Sequence, residues 1–168
     1  VSNEDKAKIK ADYVTRIDSA AAAGDMNALT DISAEAAGSA VAKEVAANLM
    51  TAVGSQKIQE RLRHDLVDLV HLMDGNPRAL KRLINAITFR QGYILMAAER
   101  ISFDVIARWT ILDLRFPYSA DAIAADPTLV TPDNRDQTTS ATYFHDPAID
   151  EILSGITQTD IELIRRFG

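Results

Sequence analysis

DGNPRALKRLINAI, residues 74–87, places a turn, a helix start and three cations within fourteen residues. The DGN triplet turns the chain, and Asn76 is a natural N-cap. Pro77 suits the first helical position, where its missing N–H costs nothing. A helix turns about 100° per residue. Arg78, Lys81, Arg82 and Asn85 are spaced i, i+3, i+4, i+7 and so share one face. Leu80, Leu83, Ile84 and Ile87 repeat that spacing two residues later, about 200° around the axis. The two stripes are back to back. The stretch therefore predicts an amphipathic helix running from 77 to about 98, with one face in a core and a cationic face turned away from it.

The same period recurs on both sides. Residues 4–23 carry Ile9, Tyr13 and Ile17 with Val14, and the GD pair at 24–25 ends that helix. MNALTDISAEAA follows as a weaker helix, and SAVAKEVAANLMTAV (39–53) repeats Val41, Val45, Leu49 and Val53. Residues 56–73 put Ile58, Leu62, Leu66, Leu69, Val70 and Met73 on one side of a further helix. Ser102 caps FDVIARWTILDLRF, which stops before Pro117, and SADAIAAD adds a short piece halted by Pro127. Residues 127–146, with two Pro and many Thr, Asp and Asn, predict a long irregular stretch. A last helix fits 158–167, with Thr157 and Asp160 as a capping box. No strand alternation persists anywhere. The expectation is an all-α, bundle-like domain of about 5–7 helices over 1–118, followed by a loop-rich acidic extension over 119–168.

Composition agrees. Apolar residues are 47% of the 168, enough for a real core, and only 7 Gly and 5 Pro interrupt them. The absence of Cys excludes disulfides, thiolate nucleophiles and thiolate metal sites. No apolar run approaches the roughly 18 residues that a membrane helix needs. The polar opening VSNEDKAKIK lacks a signal-peptide core, so a cytoplasmic location is expected. The chain starts at Val1 rather than Met, consistent with a processed or excised piece.

Charge is uneven. Residues 1–116 hold fifteen acids and fifteen Lys or Arg, whereas 117–168 hold nine acids and three Arg and carry the whole net charge of −6. Residues 75–98 contain Arg78, Lys81, Arg82 and Arg90 and no acid. The overall balance opposes general affinity for nucleic acid, and Phe89 and Tyr93 give thin aromatic support for it. Three cations at the positive end of a helix dipole are each unfavourable by a few tenths of a kcal/mol when exposed. An ordinary helix places Asp or Glu there. Two readings follow. The cations form a solvated face, with Arg78 paired to Asp74 or another acid, or an anion is brought to this helix end.

GNPRALKRLINAI, a long apolar helix and then ISFDVIARWTILDLRFP together resemble the C-terminal helical part of the KAP family of P-loop NTPases. The matching residues are Gly75, Asn76, Pro77, Arg78, Lys81, Arg82 and Asn85, then Phe116-Pro117, and the resemblance covers about 56–118. It implies that the chain is a helical lid. Arg78 would be a sensor arginine reaching the γ-phosphate of ATP held with Mg in a P-loop core domain. Asn76, Lys81, Arg82 and Asn85 would bind nucleotide or dock that core. The 168 residues contain no G-x-x-x-x-G-K-[ST] loop and no apolar strand ending in a magnesium-binding acid, so the chain alone is expected to be inactive and to bind no cofactor by itself. The alternative is a non-catalytic helical module whose basic face meets an acidic protein partner or a second copy.

Other constellations are weaker. His64 and His71 flank Asp68 on one predicted helix, but seven residues separate the rings by about 10 Å along the axis, too far for one ion. His145 beside Asp146 has no third partner, and Glu99 and Asp104 read as cap and dipole residues. Trp109 shares a stripe with Val105, Leu112 and Phe116 and reads as core. Arg108 and Arg115 share another face without an evident role. Tyr143, Phe144 and the final helix make either a docking element or a solvated appendage.

Overall fold

Leucine spacing marks where one helix geometry gives way to another in the computed structural model, which describes every residue except 74 and 168. Ile58, Leu62 and Leu66 recur every fourth residue, and α4 spans Gln56–Asp65. Leu66, Leu69 and Leu72 then recur every third, and Val67–Leu72 is a 3-10 helix. With three residues per turn these leucines fall in one line, and all are buried, while Val67 and Val70 on another line are exposed. The single helix expected over 56–73 is thus two. Among the described residues every regular element is helical and none is a strand, as the all-α expectation required.

Two compact units divide the chain: Val1–Asp65 with Thr88–Phe103, and Leu66–Ile87 with Asp104–Gly168. This division falls elsewhere than the boundary expected at 118.

The first unit is built on α1 (Asn3–Ala23), α2 (Met26–Ala36), α3 (Ala42–Val53), α4 and the second half of α5 (Pro77–Met96). α1 opens with a capping box in which the Ser2 hydroxyl accepts from the Asp5 N–H at 3.1 Å and the Asp5 carboxylate accepts in return. Asp25 caps α2 by accepting from the Ala28 N–H at 3.0 Å. Tyr13, Ile17, Leu29, Ile32, Val45, Leu49, Ile58, Leu62 and Leu95 form one apolar cluster. Ile9, expected on the same stripe, is exposed with the rest of residues 1–12. The Arg16 guanidinium meets the Glu35 carboxylate through two hydrogen bonds, of 2.9 and 2.6 Å, and ties α1 to α2. That hydrogen bonding holds the Glu35 carboxyl below its ordinary value. A buried hydroxyl, that of Ser33, donates to the Leu95 carbonyl and ties α2 to the end of α5.

The second unit contains the 3-10 helix, the first half of α5, α6 (Phe103–Arg115), α7 (Pro117–Ala125), α8 (Pro132–Arg135), α9 (Pro147–Leu153) and α10 (Gln158–Ile164). Trp109 is buried beside Ile111 and Leu112 on α6, as expected. The stretch expected to be irregular, 127–146, is a series of single helical turns: Pro127–Val130, α8 and Ala141–Phe144. Proline opens the first two, and Asp126 accepts from the Thr128 N–H at 3.1 Å. One turn is too short to show a 3.6-residue period, so composition alone read as a loop. These turns are pinned by Arg135, 4% exposed, which pairs with Asp150, donates to the Val130 carbonyl at 3.2 Å and lies 5.5 Å from the Phe144 ring centre. Ile149, Ile152, Leu153, Ile156 and Ile161 are buried, so the C-terminal third is folded into the unit rather than appended to it. α10 carries the expected capping box between Thr157 and Asp160.

Candidate functional site

A left-handed Gly75, φ 66°, delivers the chain into α5. The Asn76 Oδ1 then accepts from the Arg78 N–H at 2.9 Å, and the Asn76 carbonyl accepts from the Leu80 N–H at 3.1 Å. The cap and the first turn are therefore set as the sequence predicted. The stripe that should face a core does so: Leu83, Ile84 and Ile87 are buried and Leu80 is half-buried. Arg78, Lys81, Arg82 and Asn85 are all exposed on the other face. Among the described residues no carboxylate forms an ion pair with Arg78, Lys81 or Arg82. The alternative pairing of Arg78 with Asp74 lies outside the described residues. Farther along α5, Phe89, Tyr93 and Met96 recur every three or four residues and are also exposed, Phe89 by 74%.

Beside the first turns of α5 is a cleft of about 220 Å³, lined by Met73, Asn76, Ala79, Arg82, Leu114 and Arg115. It joins two predicted site residues, Asn76 and Arg82, to an arginine that sequence reasoning left without a role. Arg78, Lys81 and Asn85 are not among its walls. The Arg115 Nη1 donates to the Leu72 carbonyl at 2.5 Å, and its guanidinium lies 4.9 Å from the Phe116 ring centre. These contacts hold the head group in one place at the end of α6. No signal within a few residues of Arg115 could have revealed this, because the cleft forms only when residues 72–82 and 114–115 pack together.

The remaining candidates separate. Arg108 serves structure: its Nε donates to Asp104 Oδ2 at 2.8 Å and its Nη1 to the Glu151 carbonyl at 2.8 Å. His64, His71 and His145 are exposed, and the His71 Nε2 faces the Glu151 carboxylate. Among the described residues no group of three His, Cys, Asp or Glu side chains is placed to hold a metal. Nor is any helix among them long and apolar enough to cross a membrane. Tyr118 and Tyr143 stack with ring centres 5.6 Å apart on an exposed surface.

In chemical terms the start of α5 is an exposed cationic surface. It offers a capped helix N-terminus, two guanidinium groups, one ammonium and one carboxamide, with no nucleophile or acid–base pair beside them. No family model matches the chain, and no curated protein or solved structure matches it.

Proposed function

We propose that the chain is the helical lid of a KAP-like P-loop ATPase and supplies Arg78 to the γ-phosphate of ATP bound in a core domain. The observation that supports this reading is the position of Arg78: exposed, second in a capped twenty-residue helix, and without a carboxylate partner among the described residues. A planar guanidinium there suits phosphate oxygens, and the helix N-terminus adds a positive potential. Lys81 and Arg82 would assist it or dock the core, and Asn85 would extend the polar contact. Mg and the phosphates would be held by core motifs that these 168 residues lack. The lid's own contribution is charge placed where phosphoryl transfer develops it.

Hydrogen exchange on a protein carrying both core and lid tests the reading. With a non-hydrolysable ATP analogue, amides over 78–85 are expected to exchange more slowly than with ADP. Equal exchange in the two states would count against a lid that senses the γ-phosphate.

A second reading keeps the same face but drops the nucleotide. The exposed Phe89, Tyr93 and Met96 favour a non-catalytic module that binds a protein partner. It predicts salt-sensitive capture of that partner with no dependence on ATP.

A further inference from the structure

We propose that a cleft formed by α8, the end of α9 and the start of α10 binds a small neutral ligand that carries a carbonyl beside an apolar group, with the Arg135 Nε as its hydrogen-bond donor. The cleft measures about 420 Å³, within the roughly 300–1,000 Å³ that small-molecule sites span. Val130, Pro132, Leu153 and Ile156 give it apolar walls. The exposed Thr131, Thr157 and Gln158 add polar groups to its lining.

Arg135 sets the chemistry. It lines the cleft and is 4% exposed. Its Nη1 pairs with the Asp150 carboxylate, and its Nη2 donates to the Val130 carbonyl at 3.2 Å. Its Nε is buried and has no hydrogen-bond partner among the described residues. A buried N–H without an acceptor is destabilising, so a ligand oxygen placed there supplies a bond that the free chain lacks. The Nε is closed to bulk water in the free chain. Binding must therefore displace a wall side chain to reach it, and the new bond, made away from water, offsets that shift.

Charge decides between ligands. The Asp150 carboxylate already neutralises the guanidinium, so the site gains nothing from an anion. A ligand carboxylate would also stand close to Asp150, and like charges repel. An amide oxygen satisfies the one open N–H without adding charge. The apolar walls suit a branched aliphatic group beside it. This assignment stands apart from the lid reading, because no residue of α5 lines the cleft.

The test is a titration of the full chain with N-acetyl-leucinamide, followed by amide and arginine Nε–H NMR signals. Saturable shifts are expected at Thr131, Ser154 and Gln158, with the Arg135 Nε–H signal moving downfield as its hydrogen bond forms. N-acetyl-glycinamide, which lacks the apolar side chain, should bind at least about tenfold more weakly. N-acetyl-leucine, which has the same skeleton but ends in a carboxylate, should also bind more weakly. Arg135→Gln removes the donor and should abolish saturable binding. Thr131→Trp fills the cleft from an exposed position whose side chain makes no capping bond, so it keeps the test valid if Arg135→Gln unfolds the chain. It should weaken N-acetyl-leucinamide at least about tenfold by steric clash. Thr159→Trp, also exposed but outside the cleft, should change nothing. Four results overturn the proposal: shifts that fail to saturate, an Arg135 Nε–H signal that stays in place, tighter binding of N-acetyl-leucine than of the amide, or equal losses in the two Trp variants. Such a failure leaves any effect of Arg78 on ATP turnover untouched, so the two ideas fail separately.

Discussion

Gly155→Ala is expected to destabilise the second unit by about 1–3 kcal/mol, and to lose most of that effect once Arg108 is gone. A Cβ on residue 155 would stand 2.5 Å from the Arg108 Nε and 2.8 Å from its Cδ. The far end of an arginine usually swings aside at little cost, but this one is tied down. Its Nε donates to Asp104, and its Nη1 donates to the Glu151 and Ile152 carbonyls in the last turn of α9. The Ser154 hydroxyl also donates to the Glu151 carbonyl, at 2.7 Å, so the guanidinium shares the capping of the last turn of α9. Arg108→Ala should therefore cost about 2–4 kcal/mol, since it removes three charge-assisted bonds from a side chain only 18% exposed. In the Arg108→Ala background, Gly155→Ala should add less than about 0.5 kcal/mol, because the clash has no second party. Trp109, the only tryptophan and a buried neighbour of Arg108, reports unfolding of this unit by fluorescence in urea. Additive costs in the double variant would show that the close approach does not carry the effect.

Arg78→Ala should lower ATP turnover of a core-plus-lid protein by about a hundredfold to a thousandfold, the loss typical when one preorganised donor to a transition-state charge is removed. Its effect on stability should be small and of opposite sign. Arg78 is exposed and lies in the first turn of α5, where a cation opposes the helix dipole by a few tenths of a kcal/mol. The variant is thus expected to unfold at an equal or slightly higher temperature while turning over far more slowly. Arg78→Lys should fall between, keeping charge but losing the two-pronged geometry. Lost activity accompanied by lost stability would point to a structural role.

Much of this was legible locally. Residues 75–87 carry their turn residue, cap and both stripes, and structure and sequence agree there. Val45, Leu49 and Val53 show the same period, and all three are buried. What escaped the sequence depends on geometry that two periods share or on residues far apart. Leu66, Leu69 and Leu72 satisfy an α-helical stripe as well as a 3-10 one, so the break after Asp65 left no compositional trace. The turns over 127–146 depend on Arg135 reaching Asp150 and Phe144, which no local pattern reports. The cleft escaped for the same reason: Arg82 belonged to a visible face, whereas Arg115 gains its place only through packing on Leu72 and Phe116.

The proposed lid role requires the γ-phosphate of bound ATP to reach the start of α5. An ATP analogue bearing a photoreactive group on that phosphate, irradiated in the core-plus-lid protein and mapped by mass spectrometry, tests it most directly. Label is expected within residues 75–85, lost when excess ATP competes and when Arg78 is replaced by Ala. Label confined to segments outside α5, with Arg78→Ala leaving the pattern unchanged, would contradict it.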